Sequence, residues 1–294
     1  MSTPRVPIPV SHPDKVFWPE EGYTKRDLIR FYDLIFPRLS PYVRDRLLAL
    51  ERCPDGLRGD CFFQKEEPSG MPPRTPTKRI EHAHGVTTYV VGGRRETQLA
   101  LANLGCIAVH VWGSRARAPR QPDWACFDLD PDSGAMADAA RAGLRVKEAL
   151  EALGLTSYVK TSGGRGLHVW VPLRVGPDND EVREFATGLA EHLAGAYPAE
   201  LTREARIAKR KGRVYIDTAR NGFGQTVAAP YAVRRRPKAP VSTPLDWGEV
   251  TPALHPDAFT MATFAKRLET KDPWTDFFRH RQSIQTALRG LRDL

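Results

Sequence analysis

Long apolar runs are missing from this 294-residue chain. No stretch approaches the roughly 18 residues that a membrane-crossing helix needs, so no membrane partner is expected. The opening MSTPRVPIPVSHPDK has no basic segment followed by an apolar one. No secretory signal is visible, and the chain reads as cytoplasmic, in contact with the nucleoid. Cysteine is scarce, with Cys53, Cys61, Cys106 and Cys126 making 4 in all and no C-x-x-C pair. Cys106 and Cys126 sit in apolar runs and read as buried thiols. Cys53 and Cys61, with His82 and His84, carry zinc-type donors at a spacing that fits no zinc motif. Disulfides are not expected without an exported context. Repeats, low-complexity tracts and a G-x-x-x-x-G-K-[ST] phosphate loop are absent as well.

An acidic surplus is also lacking. Lys plus Arg is 44 against 35 for Asp plus Glu, a net charge of +9, and the pI is near 9.5. Such a balance favours polyanionic partners, because basic side chains gain by releasing condensed counterions. Hydrophobic residues at 41% and charged residues at 27% are ordinary for a globular chain long enough to bury a sizeable core.

The pattern interleaves helices and strands, which points to an α/β or α+β fold. A helix is expected from about Thr24 to Leu39, capped by Thr24 with Asp27 three residues on. Turns dominate residues 68–78. Strands are expected at residues 86–93, 106–112 and 124–130. Ser133 is expected to cap a helix that ends at Gly154. Two more strands, 157–162 and 167–173, flank Gly163-Gly164-Arg165-Gly166. A helix from about Asp180 to Ala196, a short strand 213–217 and a helical region from about Pro256 complete the reading.

Asp128-Leu129-Asp130 ends a strand whose W-A-C-F start is apolar. Alternation puts both carboxylates on one face, where they repel unless a cation lies between them. Oxygen donors of this kind suit Mg²⁺ or Mn²⁺. The same letters also read as an Asp-Pro turn with capping acids. Asp217 closes another apolar strand, R-V-Y-I-D, and would supply a third carboxylate. In T-S-G-G-R-G-L-H the glycines let backbone amides approach a phosphate, Arg165 adds charge and Ser162 a hydroxyl. His168 starts the following strand, and a plain glycine hairpin with a packed histidine would look similar. Basic residues flank Asp217 on both sides, including Arg206, Arg210, Arg220, Arg234, Arg235 and Arg236. Phe62 and Phe63 are adjacent on a strand, so one is expected in the core and the other is free to stack on a base, a contact worth about 1–3 kcal/mol. His110, on the strand before the Asp-x-Asp strand, can reach the same cleft.

Taken in order, S-H-P-D-K-V-F-W-P, G-D-C-F-F-Q-K, A-C-F-D-L-D-P, T-S-G-G-R-G-L-H-V-W-V-P-L, V-Y-I-D-T-A-R-N and V-A-A-P-Y-A-V-R-R-R-P resemble the polymerase domain of bacterial ligase D, the end-joining enzyme. That domain belongs to the archaeo-eukaryotic primase superfamily, and the resemblance runs from about Ser11 to residues 279–282. It implies a primase-type catalytic core with an RRM-like lobe carrying the aspartates. One catalytic unit is expected over 1–294, with an N-terminal lobe to about 120, a metal-binding lobe over 121–255 and a helical tail over 256–294. Asp128, Asp130 and Asp217 would hold two Mn²⁺ or Mg²⁺ ions. Ser162, Arg165 and His168 would bind the NTP or dNTP, with His110, Arg210, Asn221, Gln225, Arg234 and Arg236 lining the same pocket. Phe62 and Phe63 would sit against the nascent base pair, and Lys15 and Lys25 would grip a downstream 5′-phosphate of gapped or broken DNA. Ku and a separate DNA ligase are the implied protein partners. Many relatives have Lys where Arg165 stands, and some have Lys at Gln225. With no ligase or phosphoesterase signature, a stand-alone polymerase or an excised domain is expected.

Two other readings use the same residues. A metal-dependent nuclease or phosphatase needs the three aspartates but no triphosphate cradle. A non-catalytic DNA-end scaffold gains nothing from clustered acids facing DNA.

Overall fold

Thr24 accepts a hydrogen bond from Asp27 N, and Asp27 reaches back to Thr24 N, so the first long helix starts with a complete capping box. The computed structural model describes residues 8–292 apart from His84 and Pro256. Helix α1 covers Lys25–Val43 and buries Leu28, Ile29, Phe31, Tyr32, Ile35 and Leu39. It outruns the expected end at Leu39, with Pro37 and Pro41 inside it. Burial of Tyr42 and Val43 in the last turn, with Tyr42 edge-on to Trp274, offsets the proline cost.

The chain then runs through β1 (Leu48–Arg52), β2 (Phe62–Gln64), β3 (Thr77–His82), β4 (Gly85–Val90), α2 (Arg95–Asn103) and β5 (Cys106–Trp112). There follow β6 (Trp124–Pro131), α3 (Met136–Ala152), β7 (Tyr158–Thr161), β8 (Leu167–Pro172) and α4 (Asn179–Ala196). Next come β9 (Leu201–Thr202), α5 (Ile207–Arg210), β10 (Val214–Asp217), β11 (Thr226–Ala228), β12 (Pro244–Leu245) and α6 (Gln285–Arg292).

Two sheets organise these elements. The first has the order β11-β5-β1-β2, and the second β9-β10-β6-β8-β7-β12. Strand β11 therefore joins the first sheet from within the range expected for the second lobe, opposite His110 of β5. In β6 the side chains alternate. Ala125, Phe127 and Leu129 enter the core built with α3 and α4, as do Leu167, Val169 and Val171 of β8. Trp124, Cys126, Asp128 and Asp130 therefore take the other face. In β5, Ile107, Val109 and Val111 join the core under α1 and α2, which turns Ala108 and His110 to the opposite side.

The helices thus cover the outer faces, and the inner faces of the two sheets look toward one another. At one end that inner layer is apolar: Trp124 stacks on Trp170 at 4.2 Å, and Trp170 meets Trp274 at 5.5 Å. At the other end it carries Asp128, Asp130 and His168, and it opens. No helix among the described residues is long and apolar enough to cross a membrane.

Four expectations need correcting. No disulfide was expected, yet Cys53 and Cys61 are joined in one, because the turn between them brings their sulfurs together; neither is left as a zinc donor. Cys53 N donates to Gly105 O at 2.8 Å and Gly56 N donates to Cys53 O at 3.0 Å, which fixes the start of that chain reversal. His84, the other donor considered with His82, lies outside the described residues. Helix α3 starts at Met136 with Ala135 at its cap, because Ser133 spends its hydroxyl on Asp138 and Ala135 N in the preceding turn. The region after Pro256 is mostly turns, with helix only at Phe264–Leu268 and α6 among the described residues, since its aromatics are drawn to separate partners: Trp274 and Phe277 stack together against Trp170, and Phe264 meets Phe31 of α1. Neither Phe62 nor Phe63 is core: they are 45% and 59% exposed.

Candidate active site

The strand register builds the site. Asp217 of β10 pairs with Asp128 of β6, Asp128 with His168 of β8, and His168 with Lys160 of β7. Residues directly opposite in a ladder point to the same side, so these four form a row across the inner face of the second sheet. Asp130 stands two residues along from Asp128, on the same side. His168 Nε2 is 3.2 Å from Asp128 Oδ1. Arg220, three residues beyond Asp217, places Nε 3.3 Å from Asp217 Oδ2 and 3.7 Å from Asp128 Oδ2.

Asp128 and His168 of this row open into a cleft of about 810 Å³ between the sheets, while Asp217 and Lys160 lie behind its lining. Asp128, Asp130, Ser162, Arg165, His168, Arg210, Arg220, Gln225, Arg234 and Arg236 line it, and Phe63, His110, Lys65 and Ala49 face them from the first sheet. Small residues, Ala49 and Ala228, flank His110 in the register and leave the space beside it open.

The glycine loop is shaped by close approach. A side chain at Gly166 would put its Cβ 2.2 Å from Leu129 O, and one at Gly163 (φ +71°) 2.4 Å from Arg234 Cγ. Ser162 Oγ accepts from Gly164 N at 3.1 Å and Gly166 N at 3.3 Å. With its lone pairs engaged, the hydroxyl offers its proton to the cleft. Arg234 is half-buried and donates to Ser162 O at 3.2 Å, which ties the arginine segment to this loop.

Charge is tightly balanced. Burial would raise Asp128, but His168, Arg220 and Lys160 hold its carboxyl well below the usual range. Asp130 goes the other way, raised by burial and by the charges of Asp128 and Asp217. Burial lowers His168 to about 4 and Lys160 to about 7. Lys160 is fully buried, with Nζ 2.5 Å from Ser242 Oγ.

Among the described residues, no three His, Cys, Asp or Glu side chains close around one point tightly enough to hold a metal as they stand. Arg220 lies between two of the three aspartates instead. The donor chemistry nevertheless fits a hard divalent cation. All three are carboxylates, two share one strand face, and the raised Asp130 marks negative charge in excess of what Arg220 neutralises.

Some expected site residues lie elsewhere. Asn221 is buried as a clamp: its Oδ1 accepts from Cys126 N at 2.7 Å, and its Nδ2 donates to Cys126 O and Thr218 O at 2.8 Å. Every polar atom of that amide is used in holding the turn after β10 to β6, so it does not line the cleft. Phe62 points away from the cleft, under Arg52 at 5.6 Å, whereas Phe63 faces it. Lys15 and Lys25 lie side by side, away from the cleft lining. Lys15 Nζ is 2.5 Å from Asp55, and burial and Lys15 lower Lys25, which reaches Ser11 Oγ at 3.3 Å.

Sequence reasoning passed over Lys160 and Glu51 and gave Arg220 no specific role. Strand alternation from Ser162 and His168 could have flagged Lys160. No local pattern marks Glu51, whose partners come from distant segments.

Residues 24–274 match the family model for the LigD primase-polymerase domain. The multifunctional non-homologous end joining protein LigD of Pseudomonas aeruginosa is 30% identical over 96% of this chain, and the bifunctional LigD of Bacillus subtilis is 31% identical over 92%. The chain spans only 34% and 44% of those two proteins. The polymerase domain of Mycobacterium tuberculosis ligase D, solved in complex with DNA, superposes with a TM-score of 0.87 at 26% identity, covering 94% of this chain and 99% of that one.

Proposed function

This chain belongs to the LigD primase-polymerase family, and on that premise we propose that it is a DNA-repair nucleotidyltransferase that adds NTPs or dNTPs to primer 3′ ends at gaps and double-strand breaks. The observation that supports the reading is the ladder row Asp217–Asp128–His168, with Asp130 beside it, whose Asp128, Asp130 and His168 share a cleft with Arg165, Arg210, Arg220, Arg234 and Arg236. Carboxylates next to a basic groove suit a phosphoryl transfer in which acids hold cations and cations hold phosphates.

Asp128, Asp130 and Asp217 would hold the divalent metals, Mn²⁺ or Mg²⁺, whose contribution is to acidify the primer hydroxyl and to offset charge on the triphosphate. The remaining steps belong to the protein. Arg220, now beside Asp128 and Asp217, would turn its guanidinium to phosphate oxygens if those carboxylates held a cation. Ser162 donates its free hydroxyl proton, and Arg165, Arg234 and Arg236 supply charge along the same wall. Phe63, exposed and edge-on to His110, offers a face for a base.

Lys15 and Lys25 form a compact cationic pair suited to a 5′-phosphate, with Lys15 released from Asp55 on binding. DNA with gaps or broken ends is thus the proposed partner, as for the DNA-bound ligase D polymerase domain. Ku and a separate ligase are proposed partners on the strength of the relatives' end-joining names alone. Action within the cytoplasm on nucleoid DNA follows from the same reading. We also propose a division into lobes near residues 120 and 255; β11, within the second range, pairs with β5 of the first.

The test is extension of a labelled primer on gapped DNA bearing a downstream 5′-phosphate, with Mn²⁺ and either NTPs or dNTPs. Wild type is expected to extend the primer, and Asp128→Ala to lose at least about a hundredfold in rate, the scale of removing a main electrostatic contributor. A shortened primer would support a nuclease instead. Binding with neither activity would support an end-binding scaffold.

A further inference from the structure

Glu51 is a carboxylate in an unusual place. It lies on β1 at 5% exposure, opposite Phe63 of β2 and Ala108 of β5, on the same strand face as Ala49, which pairs with His110. Its Oε1 accepts from Arg235 Nε at 2.7 Å. Its Oε2 is enclosed and has no hydrogen-bond partner, and the same is true of His110 Nε2. These two unsatisfied atoms face each other at 3.8 Å. A buried, unpaired polar atom is costly, and the contact that relieves both is the one between them.

The chemistry of the pair has one outcome. Burial alone would raise Glu51, but the adjacent His110, the donor Arg235 and the charge of Arg234 bring it down to about 2, so it is an acceptor only. Burial lowers His110 to about 4, so its ring is neutral near pH 7 and carries one proton. Opposite an ionised carboxylate that proton belongs on Nε2, which leaves Nδ1 as a lone-pair acceptor for the cleft. Phe63, edge-on at 5.1 Å, limits rotation of the ring.

We propose that Glu51 is a positioning residue that locks His110 in its Nε2-protonated form, so that the cleft presents an acceptor there and reads a sugar hydroxyl of the incoming nucleotide. Phosphate oxygens carry no proton at neutral pH and are repelled by such a lone pair. The amino groups of the base are taken up by the template in templated addition. The sugar hydroxyls are the donors that remain. The inference rests on the nucleotide-binding reading above for its substrate, but not for its central claim about the ring.

The ring can be examined directly. In ¹⁵N-labelled protein at pH 7.5, two-bond ¹H–¹⁵N correlation spectra distinguish the tautomers, and His110 is identified by its loss in His110→Gln. Wild type is expected to show the Nε2-protonated pattern, and Glu51→Leu a mixture or the other tautomer. An Nδ1-protonated ring in wild type, or a pattern unchanged in Glu51→Leu, would overturn the proposal. If Glu51→Leu does not fold, Glu51→Ala is read in the same way, and an Nε2-protonated ring unchanged there overturns the proposal.

Primer extension with ATP, 2′-deoxy-ATP and 3′-deoxy-ATP then tells which hydroxyl is read. Glu51→Leu is expected to raise KM about tenfold for nucleotides bearing that hydroxyl, with kcat and the KM of the analogue lacking it little changed. Glu51→Gln, which keeps an acceptor oxygen, should restore most of the loss. An equal rise for all three nucleotides would mean that Glu51 is merely structural. Failure of wild type to extend any primer would sink the polymerase reading and leave the spectroscopic answer on Glu51 standing.

Discussion

At Asp130, burial and the charges of Asp128 and Asp217 raise the carboxyl above its usual range. The sign follows from linkage. A carboxyl raised in the folded state binds its proton more readily there than in the unfolded chain, so stability is lost as pH rises through the shifted value. At pH 7.5 without metal, Asp130→Asn should therefore stabilise the fold by roughly 1–3 kcal/mol, seen as a higher urea midpoint in EDTA. The same variant should weaken Mn²⁺ binding at least about tenfold by calorimetry, because the lost charge is the one a cation uses. An unchanged midpoint with unchanged Mn²⁺ affinity would mean that Asp130 is not crowded by its neighbours. The carboxylates were legible because alternation along a single strand is local. Arg220 and Glu51 were not, since what matters about them is which carboxylate or imidazole the fold brings alongside.

The β6–β8 pair is the element that holds the site. Its register sets His168 against Asp128, and Gly166 lets β8 begin in contact with Leu129 O. Gly166→Ala would drive a methyl to 2.2 Å from that oxygen, so one strand must shift. The expected cost is about 1–3 kcal/mol, together with a loss of primer extension larger than that of Gly154→Ala. The control sits at a helix end where a Cβ meets nothing within 4 Å, though its φ of +73° carries its own strain. Equal stability and activity in the two variants would refute the close-approach argument. Helix α1 shows how element ends are read correctly or missed. Its start depends on two side chains three residues apart, whereas its end depends on Tyr42 meeting residues more than 200 positions away.

For the whole molecule, one buried charge reports on the layered packing. Lys160 lies on an inner sheet face with no exposure, and burial lowers its ammonium to about 7. Its folded value is below that of the unfolded chain, so the unfolded state holds more protons above pH 7 and stability should rise with pH. Between pH 7 and 8.5 the gain is expected to be about 1 kcal/mol, and Lys160→Met should flatten it while raising stability at pH 7. Urea unfolding at the two pH values tests this. The window stops there because the buried Cys106 and Cys126 thiols, both raised, bring the opposite dependence at higher pH. The sequence by itself determined the capped start of α1, the alternating strands, the acids and the glycine turn, together with the family to which the motifs point. These are properties of neighbours along the chain. The tertiary structure decided that two sheets face each other, that half of one inner face is core and half is cleft, and that β11 crosses between them. It also decided that Asn221 is a clamp and that Cys53 meets Cys61. Each of these turns on which distant surfaces exclude water together, and desolvation and pairing across space leave no periodic trace in the order of residues.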